Sequence, residues 1–186
     1  MARFVRRRLK SGAQVLDVGC GAGAQTAWLY LEGFAVWAAD VSTSAIERAQ
    51  VRIDGVGNPK GGFCKLMVAD VSQKLPLKDG NFDAAIDVCC LQHIVEPARL
   101  SKALIEIRRV LKPGGWLFSV LASDRHDPVA FGGMDAHGYR AVEAQALFKY
   151  AGFNIVSMHS KEHTDEFSGV TRTVAHWLVE AVKKDA

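Results

Sequence analysis

Three glycines at alternate positions follow a short apolar run and place bare backbone where a ligand can come close. The segment reads Val15-Leu-Asp-Val-Gly-Cys-Gly-Ala-Gly23. A residue without a Cβ lets the chain turn sharply after a buried strand and brings backbone N–H groups against a ligand. The start of the next helix favours a polar group at the same place. The segment therefore predicts a cofactor site, although a glycine-rich turn after any buried strand is the structural alternative.

The spacing of the glycines, together with the acid before them, indicates the kind of ligand. A dinucleotide-binding turn has the spacing G-x-G-x-x-G, which admits a pyrophosphate. Here single residues separate Gly19, Gly21 and Gly23, and Asp17 stands two positions before the first glycine. A carboxylate there would repel the pyrophosphate of NAD but would form a charge-assisted hydrogen bond with an ammonium group. An NAD-dependent oxidoreductase is therefore disfavoured.

Asp40 and Asp70 each follow an apolar run that we interpret as a strand. Asp40 comes directly after the run 34–39 and stands 23 positions after Asp17, near the spacing at which an acid binds ribose hydroxyls. Ligands of open parallel sheets bind at the carboxyl ends of the strands, so both acids are predicted to face one site. The structural alternatives are a helix N-cap for Asp40 and an acceptor of turn amides for Asp70.

A fourth apolar run, residues 82–89, contains two acids and continues into Cys90-Leu-Gln-His-Ile94. Buried carboxylates are costly unless they are paired, so each acid in this run needs a structural or functional reason. We expect Asp83 at the surface end of the strand and Asp87 at the functional end.

Together these segments resemble the class I S-adenosylmethionine-dependent methyltransferases across about residues 13 to 121. The resemblance implies that Asp40 binds the ribose of S-adenosylmethionine with Val41 beside the adenine. It also implies that Asp70 accepts a hydrogen bond from the exocyclic amine of the adenine, with Val71 as its apolar neighbour. Asp87 or the backbone after it is implied to lie near the methionine half of the cofactor. The implied cofactor-binding residues are Asp17, Gly19, Cys20, Gly21, Gly23, Asp40, Val41, Asp70, Val71 and Asp87.

Such an enzyme would transfer a methyl group to a small-molecule acceptor by in-line displacement, and the cofactor would carry most of the chemistry. A hydroxyl acceptor would need a base, whereas a thiol or amine would not. His93, His126 and His137 are weak candidates for that base, and the catalytic residues otherwise stay unassigned. We expect no metal site, because the acids and histidines of the stretch 123–138 occur together too readily by chance. The functional alternative is a cofactor-binding subunit that needs a partner chain for catalysis.

Short apolar runs alternate with segments of helical period, which predicts an α/β fold with a mostly parallel sheet covered on both faces. We place strands near 14–18, 34–39, 64–69, 82–89 and 115–121, and helices near 24–32, 43–53, 97–111 and 139–150. Two final runs, near 153–160 and 173–182, lack a crossover helix and must pair antiparallel. The resemblance implies a Rossmann-like, seven-stranded mixed sheet of order 3-2-1-4-5-7-6 with strand 7 antiparallel.

Length and composition limit the remaining possibilities. A chain of 186 residues that is 49% hydrophobic and 23% charged fits a single methyltransferase domain over residues 1–186 with a minimal N-terminal lid. We expect a cytoplasmic protein, because no run approaches the roughly 20 apolar residues that cross a membrane and no signal peptide is recognisable. Nucleic acid is a disfavoured substrate, since no Asn-Pro-Pro-Tyr-like tetrad follows the fourth strand. An oligomer is possible, and the loop 123–138, the segment 161–172, a short N-terminal helix or a partner could close the site.

Overall fold

Five strands, connected by helices except between the third and the fourth, form the parallel part of a mixed sheet. The computed structural model describes residues 1–58, 60–127, 134–167 and 170–184. The strands are β1 Gln14–Val18, β2 Ala35–Asp40, β3 Phe63–Val68, β4 Phe82–Val88, β5 Leu111–Ala122, β6 Phe153–Phe167 and β7 Val170–Lys183. The helices are α1 Ala2–Arg8, α2 Ala24–Leu31, α3 Thr43–Asp54, α4 Pro97–Val110 and α5 Ala141–Tyr150, with a 3-10 turn at Leu91–His93.

The sheet has the order β3-β2-β1-β4-β5-β7-β6. Strands β1 to β5 are parallel, and β7 runs antiparallel to both β5 and β6. The predicted fold class and strand order are thereby confirmed. The order reverses between β1 and β4, so the carboxyl ends of these strands border the crevice where open α/β sheets bind ligands.

Two parts of the sheet extend well beyond the predicted limits. Strand β5 begins at Leu111 rather than near residue 115, because Lys112-Pro-Gly-Gly115 forms an irregularity at which the pairing with β4 shifts register. Residues 161–167 and 170–172 of the segment 161–172, predicted as a polar connection, continue the β6–β7 hairpin, with Lys161 opposite His176 and Thr164 opposite Thr173. Of the predicted irregular stretch 123–138, residues 128–133 lie outside the described residues.

Apolar side chains cover both faces of the sheet. On one face, Leu16 of β1 belongs to a buried cluster with Ile107 of α4 and Phe148 of α5. On the other face, Phe4 of α1 packs against Phe118 of β5, with ring centroids 5.2 Å apart. These two layers hold the strand ends in fixed relative positions. Among the described residues, no helix is both long enough and apolar enough to span a membrane.

Helix α1 is anchored to the sheet. Arg7 and Arg8 both pair with the carboxylate of Glu180, whose side chain is 9% exposed, and the Arg8 guanidinium lies 4.1 Å from the centre of a Trp116 ring. These contacts complete the packing of α1 that begins with Phe4. The N-terminal helix is thereby held against β5 and β7.

Candidate functional site

A cleft of about 490 Å³ lies at the carboxyl ends of β1 to β4, within the range typical of small-molecule sites. It brings together six of the ten predicted cofactor residues, while Ile94, Arg99 and Met134 complete part of its wall. The six predicted residues that line it are Gly19, Gly21, Asp40, Val41, Asp70 and Val71. The other four, Asp17, Cys20, Gly23 and Asp87, lie behind this lining and shape it.

The three glycines of the first loop have left-handed backbone angles, but each serves a different purpose. A Cβ on Gly19 would lie 2.2 Å from the Cys90 Sγ, so this glycine lets the loop pack on the segment after β4. A Cβ on Gly23 would lie 2.9 Å from the Ala49 Cβ, so that glycine lets α2 approach α3. A Cβ on Gly21 would meet nothing within 4 Å. Gly21 is therefore the one of these three glycines at which an added Cβ would enter open space.

Asp40 is held at the end of β2 by the first loop. Its carboxylate accepts hydrogen bonds from the backbone N–H groups of Gly21 and Ser42, each at 2.9 Å. The N-cap of α3 is Ser42, whose hydroxyl accepts from the Ala45 N–H at 3.2 Å. Two carboxylate oxygens offer about four lone-pair sites, so Asp40 keeps capacity for a ligand. Beside it, the Val41 side chain is 69% exposed and presents an apolar surface.

Asp70 follows β3 and is part of a hydrogen-bonded ion pair. It accepts from the N–H and the hydroxyl of Ser72, at 2.8 and 2.7 Å, and from the Arg99 guanidinium at 2.8 Å. Partial burial opposes ionisation, but the Ser72 hydrogen bonds and the Arg99 charge outweigh it and keep the pKa of Asp70 below its usual value. Arg99 lines the cleft and was not predicted from the sequence, in which it stands 29 positions after its partner Asp70.

Asp17 and Asp87 lie beneath the floor of the cleft. Asp17 is 2% exposed and accepts a hydrogen bond from the Thr26 hydroxyl of α2. Asp87 is fully buried and accepts from the backbone N–H groups of Cys90 and Leu91, at 2.9 and 3.1 Å, and from the Ser119 hydroxyl. Asp87 thus fixes the segment after β4 that lines the cleft, and Asp17 holds the first turn of α2 against β1. The predicted contact of Asp17 with an ammonium group stays a prediction.

Burial changes the protonation of both acids. Because desolvation disfavours the ionised form more than the hydrogen bonds favour it, the pKa of Asp17 and the pKa of Asp87 are each raised to about 6. The two residues lie on adjacent strands, with Asp17 opposite Ile86 and Val18 opposite Asp87. The negative charge of Asp87 adds to the rise at Asp17.

Cys20 and Gly23 form the turn between β1 and α2. The Cys20 N–H donates to the Ala39 carbonyl at 3.0 Å, and the Cys20 carbonyl accepts from the Gly23 N–H at 2.9 Å. The Cys20 thiol is buried, and desolvation raises its pKa to about 12. It therefore packs as a small neutral side chain rather than as a nucleophile.

The three candidate histidines occupy different surroundings. Of these three described residues, only His93 lines the cleft, and its Nδ1 lies 2.8 Å from the Asp135 carbonyl oxygen. His126 is buried against β7, with its Nδ1 3.1 Å from the Ala175 carbonyl oxygen. His137 is exposed outside the cleft, and its ring stacks edge-on against Tyr139. The geometry therefore favours His93 over the other two as a group that meets an acceptor.

Cys89 is a second lining residue that the sequence did not reveal. It has a left-handed backbone angle, φ 62°, which is unusual for a residue with a Cβ, and its Sγ lies 3.6 Å from the Nε2 of His176. Desolvation raises the pKa of the Cys89 thiol to about 12 and lowers the pKa of His176 to about 4. Both groups are therefore neutral near pH 7. Nothing in the local sequence signals this backbone angle or the contact with β7.

The residues around the cleft fit S-adenosylmethionine. The open space above Gly21 leaves room for a ligand. Asp40 has unused acceptor sites for ribose hydroxyls, and Val41 offers an apolar face for an adenine ring. Asp40 on the lining, with Asp17 and Asp87 buried behind it, gives this side of the cleft acidic groups that suit a ligand with an ammonium and a sulfonium group.

Comparison with known proteins identifies the family. A family described as a methyltransferase domain matches residues 16–119, which is more than half of the chain. The chain belongs to the class I S-adenosylmethionine-dependent methyltransferases. A probable methyltransferase of Aspergillus luteorubrus is 30% identical over 95% of this chain and 70% of its own length.

Other relatives match a smaller part of their own length. A ubiquinone biosynthesis O-methyltransferase of Paracidovorax citrulli is 31% identical, and the match covers 58% of this methyltransferase and 42% of that relative. The fold is shared with the crystal structure of an S-adenosylmethionine-dependent methyltransferase of Methanosarcina mazei. The TM-score is 0.85 at 23% identity, and the match covers 98% of both chains.

Proposed function

We propose that this methyltransferase binds S-adenosylmethionine in the cleft at the ends of β1 to β4 and transfers its methyl group to a small molecule. The observation that carries the proposal is the joint placement of Asp40 and Gly21. The Gly21 N–H orients the Asp40 carboxylate, and the same glycine borders open space. An acid held in this way accepts hydrogen bonds from vicinal hydroxyls without further reorganisation.

The lining residues would contact three parts of the proposed ligand: its ribose, its adenine and its methionine half. Asp40 would accept from the ribose hydroxyls, and Val41 would pack against one face of the adenine. Asp70 would accept from the exocyclic amine with the acceptor capacity that Ser72 and Arg99 leave. The backbone at Cys89 and Cys90, which Asp87 holds in place, would lie beside the methionine half.

The sulfonium of S-adenosylmethionine supplies an activated methyl group. The protein then has to align the acceptor with the methyl group and exclude water, and alignment alone accounts for much of the rate in such reactions. His93 is the described residue best placed to take a proton from a hydroxyl acceptor. A carbonyl oxygen can only accept, so the Nδ1 of His93 donates to Asp135, and Nε2 is the ring nitrogen that would take the proton.

The acceptor is proposed to be a small molecule with a nucleophilic oxygen. The name of the Paracidovorax citrulli relative supports an oxygen acceptor, and the position of His93 supports an acceptor that loses a proton. The sequence after β4, Cys90-Leu-Gln-His, lacks the Asn-Pro-Pro-Tyr-like tetrad associated with nitrogen methylation of nucleic acid.

Isothermal calorimetry with S-adenosylmethionine and its product S-adenosylhomocysteine tests the proposal. We expect one site per chain, and we expect Asp40→Ala to weaken binding of both ligands by at least about tenfold because charge-assisted hydrogen bonds are lost. Asp83→Asn is the matched control, since Asp83 bonds Gln14 and Lys112 and does not line the cleft. Absence of binding at millimolar ligand would refute the proposal. Binding without methyl transfer to any acceptor by the isolated chain would favour the partner-dependent alternative.

A further inference from the structure

The acids at the cleft outnumber its cations. Asp40 and Asp70 line it, while Asp17 and Asp87 lie beneath its floor. Among the described residues that line the cleft, Arg99 is the only lysine or arginine, and it is already paired with Asp70. In the described part of the chain, neither Asp17 nor Asp87 forms a salt bridge, and the groups that donate to them are hydroxyls and backbone N–H groups.

This arrangement makes the protonation of the two buried acids sensitive to charge in the cleft. A buried carboxylate without a cationic partner holds its proton more strongly than one in water. A positive charge nearby offsets the lost solvation and favours the ionised form. S-adenosylmethionine carries a sulfonium, and the product is a neutral thioether, so the two ligands differ by one positive charge at the reacting centre.

We propose that Asp17 and Asp87 make the cleft distinguish the cationic donor from its neutral product. The pair releases protons to solvent when the donor binds and takes them up again when the product remains. The two carboxylates formed in this way strengthen donor binding, and their reprotonation accompanies product release. This inference rests on the proposed function, because it assumes that the donor occupies this cleft.

The groups that face the pair are mostly neutral at the pH of interest. The charge of Asp17 contributes to the raised pKa values of Cys20, Cys64 and Cys90. The charge of Asp87 contributes in the same way at Cys89, Cys90 and Tyr139. Two charged or titratable groups also act on the pair. Asp40 raises the pKa of Asp17, and His93 lowers the pKa of Asp87 when the imidazole is protonated. A test therefore has to separate the carboxyl pair from His93.

Calorimetric titrations of the wild-type chain at pH 5, 6 and 7 provide the test. Both ligands keep their ammonium group protonated over this range, so they differ only at sulfur. We expect the Kd of S-adenosylhomocysteine divided by the Kd of S-adenosylmethionine to rise by about tenfold from pH 5 to pH 7. Titrations near pH 6 in buffers with different heats of ionisation should show that the donor releases more protons than the product.

Two isosteric variants assign the effect. In Asp17→Asn the side-chain carbonyl can still accept from Thr26, and in Asp87→Asn it can still accept from the Cys90 N–H. We expect each variant to flatten the pH dependence of the Kd ratio. Asp83→Asn, at the opposite end of β4, should leave the ratio unchanged at every pH. His93→Gln removes the imidazole and should retain the pH dependence.

The outcomes separate the two proposals. If neither ligand binds the wild-type chain, the proposed function fails. If both bind with a Kd ratio that is constant from pH 5 to pH 7 and with equal proton release, the charge discrimination is refuted and the cofactor site stands. A pH dependence that disappears in His93→Gln but persists in both asparagine variants also refutes it. If the asparagine variants do not fold, the proton counts of His93→Gln decide: donor release equal to product release in that variant refutes the discrimination, and greater donor release supports it.

Discussion

Replacing Asp17 with asparagine should stabilise the protein above pH 6 and have little effect in acid. The pKa of Asp17 rises from an ordinary value of 3.8 to about 6, mainly because the carboxyl is buried. The folded chain therefore binds the proton more tightly than the unfolded chain, and the free energy of unfolding falls as pH increases from about 4 to about 6. At pH 7.5 the full difference is about 3 kcal/mol.

An asparagine amide in place of the Asp17 carboxyl would remove that penalty while retaining an acceptor for the Thr26 hydroxyl. Allowing about 1 kcal/mol for a weaker hydrogen bond, we expect Asp17→Asn to raise the free energy of unfolding by about 2 kcal/mol at pH 7.5. The gain should nearly vanish at pH 4.5, where the residual charge penalty is only about 1 kcal/mol.

Urea unfolding followed by circular dichroism at both pH values measures the difference. The control is Asp83→Asn, which loses a partly exposed pair with Lys112 and should cost about 0–1 kcal/mol at pH 7.5. Equal effects of Asp17→Asn at the two pH values would refute the reasoning, and so would a loss of stability at pH 7.5. Either result would mean that the buried carboxyl is ionised at little cost in the folded chain.

Three further substitutions test the site and its supports. Gly21→Ala should lower the free energy of unfolding by about 1–2 kcal/mol, because alanine is strained in a left-handed backbone conformation. It should also weaken S-adenosylhomocysteine binding by at least about tenfold in calorimetry, because its Cβ enters the open space of the cleft. Unchanged affinity would contradict this role. Gly19→Ala should fail to give a cooperative thermal transition, since its Cβ would collide with Cys90; a wild-type melting curve would show that the loop relaxes. Glu106→Ala should cost about 2–3 kcal/mol in urea unfolding at pH 7, because it leaves the Leu75 N–H without its acceptor and removes one of the two carboxylates paired with Arg109. This cost should shrink as pH falls below 4.5, because the pKa of Glu106 is lowered in the folded state, and a constant cost would contradict that assignment.

The parallel part of the fold follows from local patterns in the sequence. Strand β1 has the predicted limits, and the limits of α2 and α3 agree within one residue. Apolar runs with turn residues at both ends determine the limits of these elements almost completely. The β6–β7 hairpin extends further than predicted, because residues 161–166 are exposed on both faces and lack the alternation that marks a half-buried strand.

The site was predictable where an acid ends a strand and less so where a contact crosses the fold. Asp40 and Asp70 face the cleft because parallel strands end on one edge. Whether an acid lines the cleft or supports it depends on partners distant in sequence, such as Thr26 for Asp17 and Ser119 for Asp87. The Asp70–Arg99 pair joins residues 29 positions apart, which no local pattern specifies.

A crystal structure with S-adenosylhomocysteine tests the central claim most directly. The account predicts that the ribose hydroxyls lie within hydrogen-bonding distance of the Asp40 carboxylate, with the thioether sulfur beside the Cys89–Cys90 backbone. A ligand bound elsewhere, for example in the groove between α4 and α5 that includes Tyr150, with the cleft at Gly21 left unfilled, would contradict it.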